Sequence, residues 1–224
     1  MIRHLKDLGL LVKSLFNAAQ NVANGFYWND ANVDELDKLV ERLSNPNVRE
    51  RQIIREILRK RKPARILDAG CGHATELEGY RLNRINIDYV GLDKSYYMLG
   101  VAKERHPATP FVRGDINVLP FGNDSFDVVL LKHILEHLPE YQVAIKEALR
   151  VSSNLVIINF FHRLLPTQRD IYVWHRKGYW DNWFSRPTFH RFLDSLPLSH
   201  YERIATKGTV SQTAEIYILE KDKS

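Results

Sequence analysis

A chain of 224 residues with 44% hydrophobic content can build one α/β domain with an extension and a real core, and no repeat or low-complexity tract interrupts it. The single cysteine, Cys71, excludes an internal disulfide. A net charge of +5 and a pI near 9.2 admit nucleic acid, anionic lipid or an acidic substrate as partners, while no stretch approaches the length of a membrane span.

In chain order, residues 1–24 carry a helical repeat of apolar residues (Ile2, Leu5, Leu8, Val12, Leu15, Phe16) broken by Lys6, Asp7 and Lys13. The run is too short and too charged for a signal peptide. A helix packed on the domain is expected, with a membrane-surface or dimer helix as the sharper alternative. Residues 32–62 read as helical, with Val33, Leu36, Leu39, Val40 and Leu43 before a break at Asn45-Pro46-Asn47, then Ile53, Ile54, Ile57 and Leu58. The basic run Arg59–Lys62 reads as a solvated helix end, since cations favour a helix C-terminus and Pro63 stops the helix. Residues 1–62 are therefore expected as a helical cap on a main domain of residues 63–224.

From Arg65 onward, strands are expected at 65–68, 89–93, 111–113, 127–131 and 155–160, with helical stretches between most of them. That alternation predicts a parallel sheet with helices on both faces. Two further β-rich runs, 201–206 and 214–220, are joined by a loop too short for a helical crossover, so they should pair antiparallel. Between the fifth strand and this pair lies an insert, about 161–196, dense in aromatics and cations and expected to act as a lid.

The first strand leads into the most informative segment, Ile66-Leu67-Asp68-Ala69-Gly70-Cys71-Gly72-His73-Ala74-Thr75. Glycine at 70 and 72 permits positive φ and close approach of a ligand to the main chain, and the following helix start offers free N–H groups. Thr75 occupies the third glycine position of a dinucleotide fingerprint, so a dehydrogenase reading fails. In Cys71, small size is a sufficient reason for the residue. Acids then fall at the carboxyl ends of three strands, Asp68, Asp93 and Asp115, where ligands of open α/β sheets bind. Each could equally be a helix cap.

These residues resemble motif I of the class I S-adenosylmethionine methyltransferases, with Ala74 in place of a last glycine. The segments Asp93–Leu99, Gly114–Phe121 and Ser125–Leu131 resemble the methyltransferase type 11 domain family, and the likeness covers residues 60–220. The resemblance implies a Rossmann-like seven-stranded sheet, five parallel strands plus an antiparallel terminal hairpin. It also implies S-adenosylmethionine as cofactor and S-adenosylhomocysteine as product. Asp93 would then hold the ribose hydroxyls, Asp115 and Ile116 the adenine edge, and Asp68, Gly70, Cys71 and Gly72 the turn beside the cofactor. Lys94, Met98 and Lys132 complete the expected cofactor set, with Tyr96 and Tyr97 packing near the adenine or in the core.

His133-Ile-Leu-Glu-His137 spells an inverted zinc-peptidase signature whose two histidines would share one helix face. It directly follows a parallel strand with no third ligand in view, so no metal is expected. His133 instead lies where a transferable methyl would point, and with a pKa near neutrality it could deprotonate an acceptor hydroxyl. The acceptor site should come from Tyr27, Trp28, His162, Arg163 and Tyr179, whose aromatic and cationic groups suit a small molecule or glycan methylated on a hydroxyl oxygen. A nucleic-acid methyltransferase and a non-catalytic cofactor-binding protein are the alternatives. A cytoplasmic protein is expected, with a homodimer among its possible forms.

Overall fold

A computed structural model describes residues 33–176, 178–207 and 213–222. The helical reading of residues 1–24, and Tyr27 and Trp28 with it, lies outside them. Two helices precede the sheet, α1 (Val33–Leu43) and α2 (Arg49–Arg61). Helix α2 stops where expected. Lys62 takes a left-handed conformation at φ 49° and its N–H closes onto the Leu58 carbonyl at 2.8 Å, with Pro63 following.

The remaining elements are β1 (Arg65–Ala69), α3 (Thr75–Leu82), β2 (Asp88–Asp93), α4 (Tyr96–Arg105), β3 (Phe111–Arg113), β4 (Phe126–Lys132), α5 (Tyr141–Val151), β5 (Ser152–Phe160), β6 (Trp174–His175), β7 (Tyr179–Trp180), α6 (Arg186–Asp194), β8 (Leu198–Thr206) and β9 (Ala214–Lys221). The seven-stranded sheet runs β3-β2-β1-β4-β5-β9-β8. Strands β1 to β5 are parallel, and β9 is antiparallel to both β5 and β8. This is the Rossmann-like class I methyltransferase topology.

Chemistry explains why these runs became central strands. Leu67, Val129, Leu131, Val156 and Ile158 enter one buried layer, and Ile66, Val128, Leu130, Leu155 and Ile157 the other. A strand covered on both faces needs a continuous apolar run rather than alternation. The edge strand β8 differs: most of its residues are half-buried or exposed, and His200, Glu202 and Arg203 discourage further pairing. The direction of chain progression reverses between β1 and β4, which opens a crevice at their carboxyl ends.

Two features refine the sequence reading. Residues 133–137 form no α-helical face: His133 adopts a left-handed φ of 55°, and only a short 3-10 turn, Leu135–His137, follows. The insert contains a two-stranded hairpin, β6 with β7, and helix α6, whose first turn is capped by the Ser185 hydroxyl accepting from Thr188 N–H. No described helix is long and apolar enough to cross a membrane.

Candidate active site

The turn after β1 is folded against β2. Gly70 and Cys71 N–H both donate to the Leu92 carbonyl, at 2.7 and 3.0 Å. Gly70 sits at φ 87°, and a Cβ there would lie 2.9 Å from the Ile134 side chain. Gly72, at φ 52°, has nothing within 4 Å of where a Cβ would stand, so the space outside its backbone is open to a ligand. Cys71 contacts the face of Gly91, where a Cβ would fall 2.9 Å from its sulfur. Burial pushes its thiol up, consistent with a packing role rather than a nucleophile.

Asp93 stands across the turn. Its carboxylate accepts from Gly72 N–H and from Ser95 N–H, both at 2.8 Å. Burial pushes its pKa up, while those amides pull it back. The cap of α4 is Ser95, whose hydroxyl accepts from Met98 N–H at 3.1 Å, so Asp93 ties the two loops together rather than capping the helix. Asp115 lies 3.5 Å from the Lys94 ammonium and accepts from Asn117 N–H at 2.9 Å. Of the aromatic–Met cluster, only Met98 reaches the cavity wall. Tyr96 is exposed and carries the Arg113 guanidinium 3.4 Å from its ring centre, and Tyr97 bonds to Asp37.

These groups line one end of a cavity of about 360 Å³ at the carboxyl ends of β1, β2 and β4. Gly70, Cys71, Gly72, Asp93, Lys94, Met98, Asp115 and Ile116 all border it, and Leu39, Arg42 and Leu43 from α1 contribute a wall.

The middle of the cavity is a buried charged network. Lys132 Nζ lies 3.2 Å from Glu50 Oε1 and 3.9 Å from Glu76 Oε1, and Arg51 Nε donates to Glu76 at 2.6 Å. His133 Nε2 is 3.2 Å from the same Glu50 oxygen. Burial first, and the neighbouring Lys132 second, hold the His133 imidazole down at about 4. The near-neutral value expected from the sequence is therefore corrected: the ring is uncharged at pH 7. Burial lowers the Lys132 pKa as well, although its carboxylate neighbours oppose this. Asp68 is enclosed, with Tyr89 hydroxyl donating to it at 2.7 Å, and burial raises it to about 7. Lys132 borders the cavity, and its ammonium is held by Glu50.

The far end is aromatic. Phe161, Trp174, Tyr179 and Trp180 border it together with His137. Tyr179 stacks on His175 at 4.7 Å and meets His137 edge-on at 5.7 Å. His137 Nδ1 lies 2.6 Å from the Trp180 carbonyl, so the residue fastens the hairpin to the turn after β4. Glu136 accepts from Phe161 N–H at 2.7 Å, and burial pushes its carboxyl up to about 8. Of the expected acceptor residues, Tyr179 reaches the cavity. His162 does not border it; it stacks on Trp183 and pairs with Asp181 at 3.3 Å. Arg163 points elsewhere, is 63% exposed, and lies 3.8 Å from Glu215. Sequence reasoning missed Glu50, Arg51 and Glu76. Trp174 and Trp180 belong to the aromatic insert but are not among the individual acceptor residues that the sequence marks.

Residues 67–155 match a family model described as a methyltransferase domain. The chain is 34% identical over 126 residues to the demethylmenaquinone methyltransferase of Paenarthrobacter aurescens, covering 55% of this chain and 49% of that protein. It is 34% identical over 96 residues to the phthiotriol/phenolphthiotriol dimycocerosates methyltransferase of Mycobacterium leprae, covering 41% and 36%. The chain thus spans about half the length, or less, of these curated relatives. Among solved structures, magnesium protoporphyrin IX methyltransferase of Synechocystis PCC 6803, with bound SAM, superposes with a TM-score of 0.65 at 16% identity over 90% of this chain and 97% of that one. The PH0226 protein of Pyrococcus horikoshii superposes at 0.58 and 18% identity, over 88% and 96%. At such identities the likeness establishes the fold.

Proposed function

We propose that this chain, whose residues 67–155 belong to the methyltransferase type 11 domain family, uses S-adenosylmethionine to methylate an apolar small molecule at a hydroxyl oxygen. One observation carries this reading: a single cavity joins a glycine-and-carboxylate end to an aromatic end. The open space beside Gly72 suits a nucleoside-bearing ligand pressed against the backbone. Asp93, fixed by two amides, has lone pairs left for a ribose diol. Asp115 and the Ile116 N–H would meet the adenine edge, with Met98 against its face.

S-adenosylmethionine supplies a methyl group already activated on a sulfonium, which leaves alignment and water exclusion to the protein. Phe161, Trp174, Tyr179 and Trp180 would pack on the acceptor and keep water out. His133, uncharged at neutral pH, can accept a proton from an acidic hydroxyl; with a pKa near 4 it is too weak a base for a simple alcohol. The curated relatives are named for demethylmenaquinone and for phthiotriol dimycocerosates, and a quinone-like or lipid acceptor suits these walls better than a glycan.

Titration calorimetry tests the cofactor half. S-adenosylhomocysteine should bind the native chain, and Asp93→Ala should weaken binding at least about tenfold, since two ribose hydrogen bonds to a charged acceptor are lost. Unchanged affinity would sink the assignment. A turnover screen with methyl-labelled cofactor over quinols, lipids and sugars tests the acceptor half.

A further inference from the structure

Helices α2 and α3 both end beside the amino ends of the parallel strands: β1 starts at Arg65, just after α2, and β2 at Asp88, just after α3. Between the two helix ends lies a second cleft, of about 220 Å³. Its floor is apolar, with Leu58 buried and Ile85 and Ile87 packed against the core. Its rim carries Arg59, Lys62 and Arg84, all exposed. Both helices close with a left-handed residue, where glycine is the usual choice because it has no Cβ to strain. Here those residues are Lys62, at φ 49°, and Arg84, at φ 54°. Arg84 N–H donates to the Arg81 carbonyl at 3.1 Å, and the next N–H, of Ile85, to the Tyr80 carbonyl at 2.9 Å. The chain thus keeps a long cation at two positions where it costs backbone strain, and such strain concentrates at ligand sites.

Helix dipoles balance part of this charge. Two helix C-termini together present about one negative charge, less than the three cations at the rim. The acids around the cleft are committed elsewhere. Glu56 pairs with Arg49 at 3.0 Å, Asp88 with Arg65 at 3.0 Å, and Glu220 with Arg61. Asp127 accepts from the N–H groups of Ala64 and Arg65, at 2.7 and 2.9 Å, and Glu78 acts on His106 at the end of α4. Among the described residues, Arg59, Lys62 and Arg84 are in no ion pair; the Arg59 guanidinium reaches only Asn83, at 3.3 Å from its Oδ1. On the same wall, the N–H groups of Asn86 and Ile87 have no acceptor among the described residues. Guanidiniums on two sides of an apolar floor suit a phosphoryl group, which offers each fork a pair of oxygens. The volume falls below the roughly 300–1,000 Å³ of drug-sized sites, so the ligand that fits is compact.

We propose that the cleft between the ends of α2 and α3 binds a small phosphate monoester, with the phosphoryl group among Arg59, Lys62 and Arg84 and the apolar body on Ile85 and Ile87. The cleft lies at the opposite ends of the strands from the cofactor cavity, and its occupancy is measurable whether or not the chain binds S-adenosylmethionine. Phenyl phosphate, titrated into the isotope-labelled full chain and followed by amide NMR shifts, is the probe. Binding should saturate, with the largest shifts at residues 84–87 and with Gly70 and Gly72 unmoved. Inorganic phosphate, which lacks the apolar body, should bind about fivefold more weakly. Arg59→Gln, on an exposed side chain, should weaken phenyl phosphate binding about tenfold through loss of a charge-assisted contact. Arg84→Gly should weaken it as much while relieving the left-handed strain, so its thermal midpoint should equal or exceed the native one. Four results overturn the proposal: no saturation, largest shifts at Gly70 and Gly72, variants that bind like the native chain, or inorganic phosphate bound as tightly as phenyl phosphate. Single-stranded RNA that shifts the same amides where phenyl phosphate does not would make this a nucleic-acid surface, and would overturn it equally.

Discussion

At the scale of single residues, the site turns on how burial tunes a few titratable groups. His133 shares the Glu50 carboxylate with Lys132, so one anion faces two groups that could each carry positive charge. Both cannot be charged cheaply in a buried site, and the histidine is the one that stays neutral. A neutral imidazole beside the aromatic end can take a proton during transfer. His133→Asn keeps an amide that can still donate to Glu50 but removes the proton acceptor. With a phenolic or quinol acceptor, kcat should fall about a hundredfold, within the range for loss of a general base. S-adenosylhomocysteine affinity should stay within about twofold. Near-normal turnover in a steady-state assay with an identified hydroxyl acceptor would remove His133 from the mechanism.

At the scale of elements, the insert is secured by a few buried polar contacts. Asn182 is the centre: its N–H donates to the Glu136 carbonyl at 3.0 Å, its side-chain amide to the Leu138 carbonyl at 2.8 Å, and its Oδ1 accepts from Val173. Asn182→Ala strips two of these bonds, whose partners Val173 and Leu138 are only partly buried, a loss of about 0.5–1.5 kcal/mol each. The expected result is a looser insert on an intact sheet. Trypsin should cut faster at Arg169 and Arg176, and KM for the acceptor should rise more than S-adenosylhomocysteine affinity changes. Proteolysis rates equal to the native chain would show that the aromatic packing alone holds the insert. The strands were legible in the sequence because a doubly covered sheet demands unbroken apolar runs, and Ile66-Leu67 and Val128–Leu131 supply them. The terminal hairpin was legible from loop length alone. The network Glu50–Lys132–Glu76 was not, because Glu50, Arg51 and Arg55 lie on a helix whose charges look solvated in sequence, and only tertiary packing buries them. The left-handed His133 was hidden for a related reason: a histidine pair four residues apart reads as helical, whereas the chain must turn sharply there as it leaves β4.

At the scale of the whole molecule, the buried acids and histidines shape stability against pH in opposite directions. His73 and His133 titrate near 4 when folded against 6.5 in the reference state. Between those values the unfolded chain binds more protons, so their contribution strengthens as pH rises from about 4 to 6.5. Asp68, at about 7, and Glu136, at about 8, are raised from 3.8 and 4.5. For them the folded chain holds protons that the unfolded chain has released, so their contribution is fully present below the unfolded values and is lost as pH climbs through the folded ones. The two sets offset each other below pH 6.5; above it the carboxyls remain. Over 1.5 pH units at about 1.36 kcal/mol per unit, Glu136 alone should remove about 2 kcal/mol between pH 6.5 and 8. Glu136→Gln keeps an acceptor for Phe161 N–H and cannot ionise. Urea unfolding at the two pH values should therefore show a drop in the native chain larger than in the variant by about that amount. Taking the difference between the two proteins cancels the titration of Lys132 and of every other shared group. Equal drops would mean that Glu136 is already ionised in the folded chain at pH 6.5, and that the amides of residues 161 and 162, rather than burial, govern its charge.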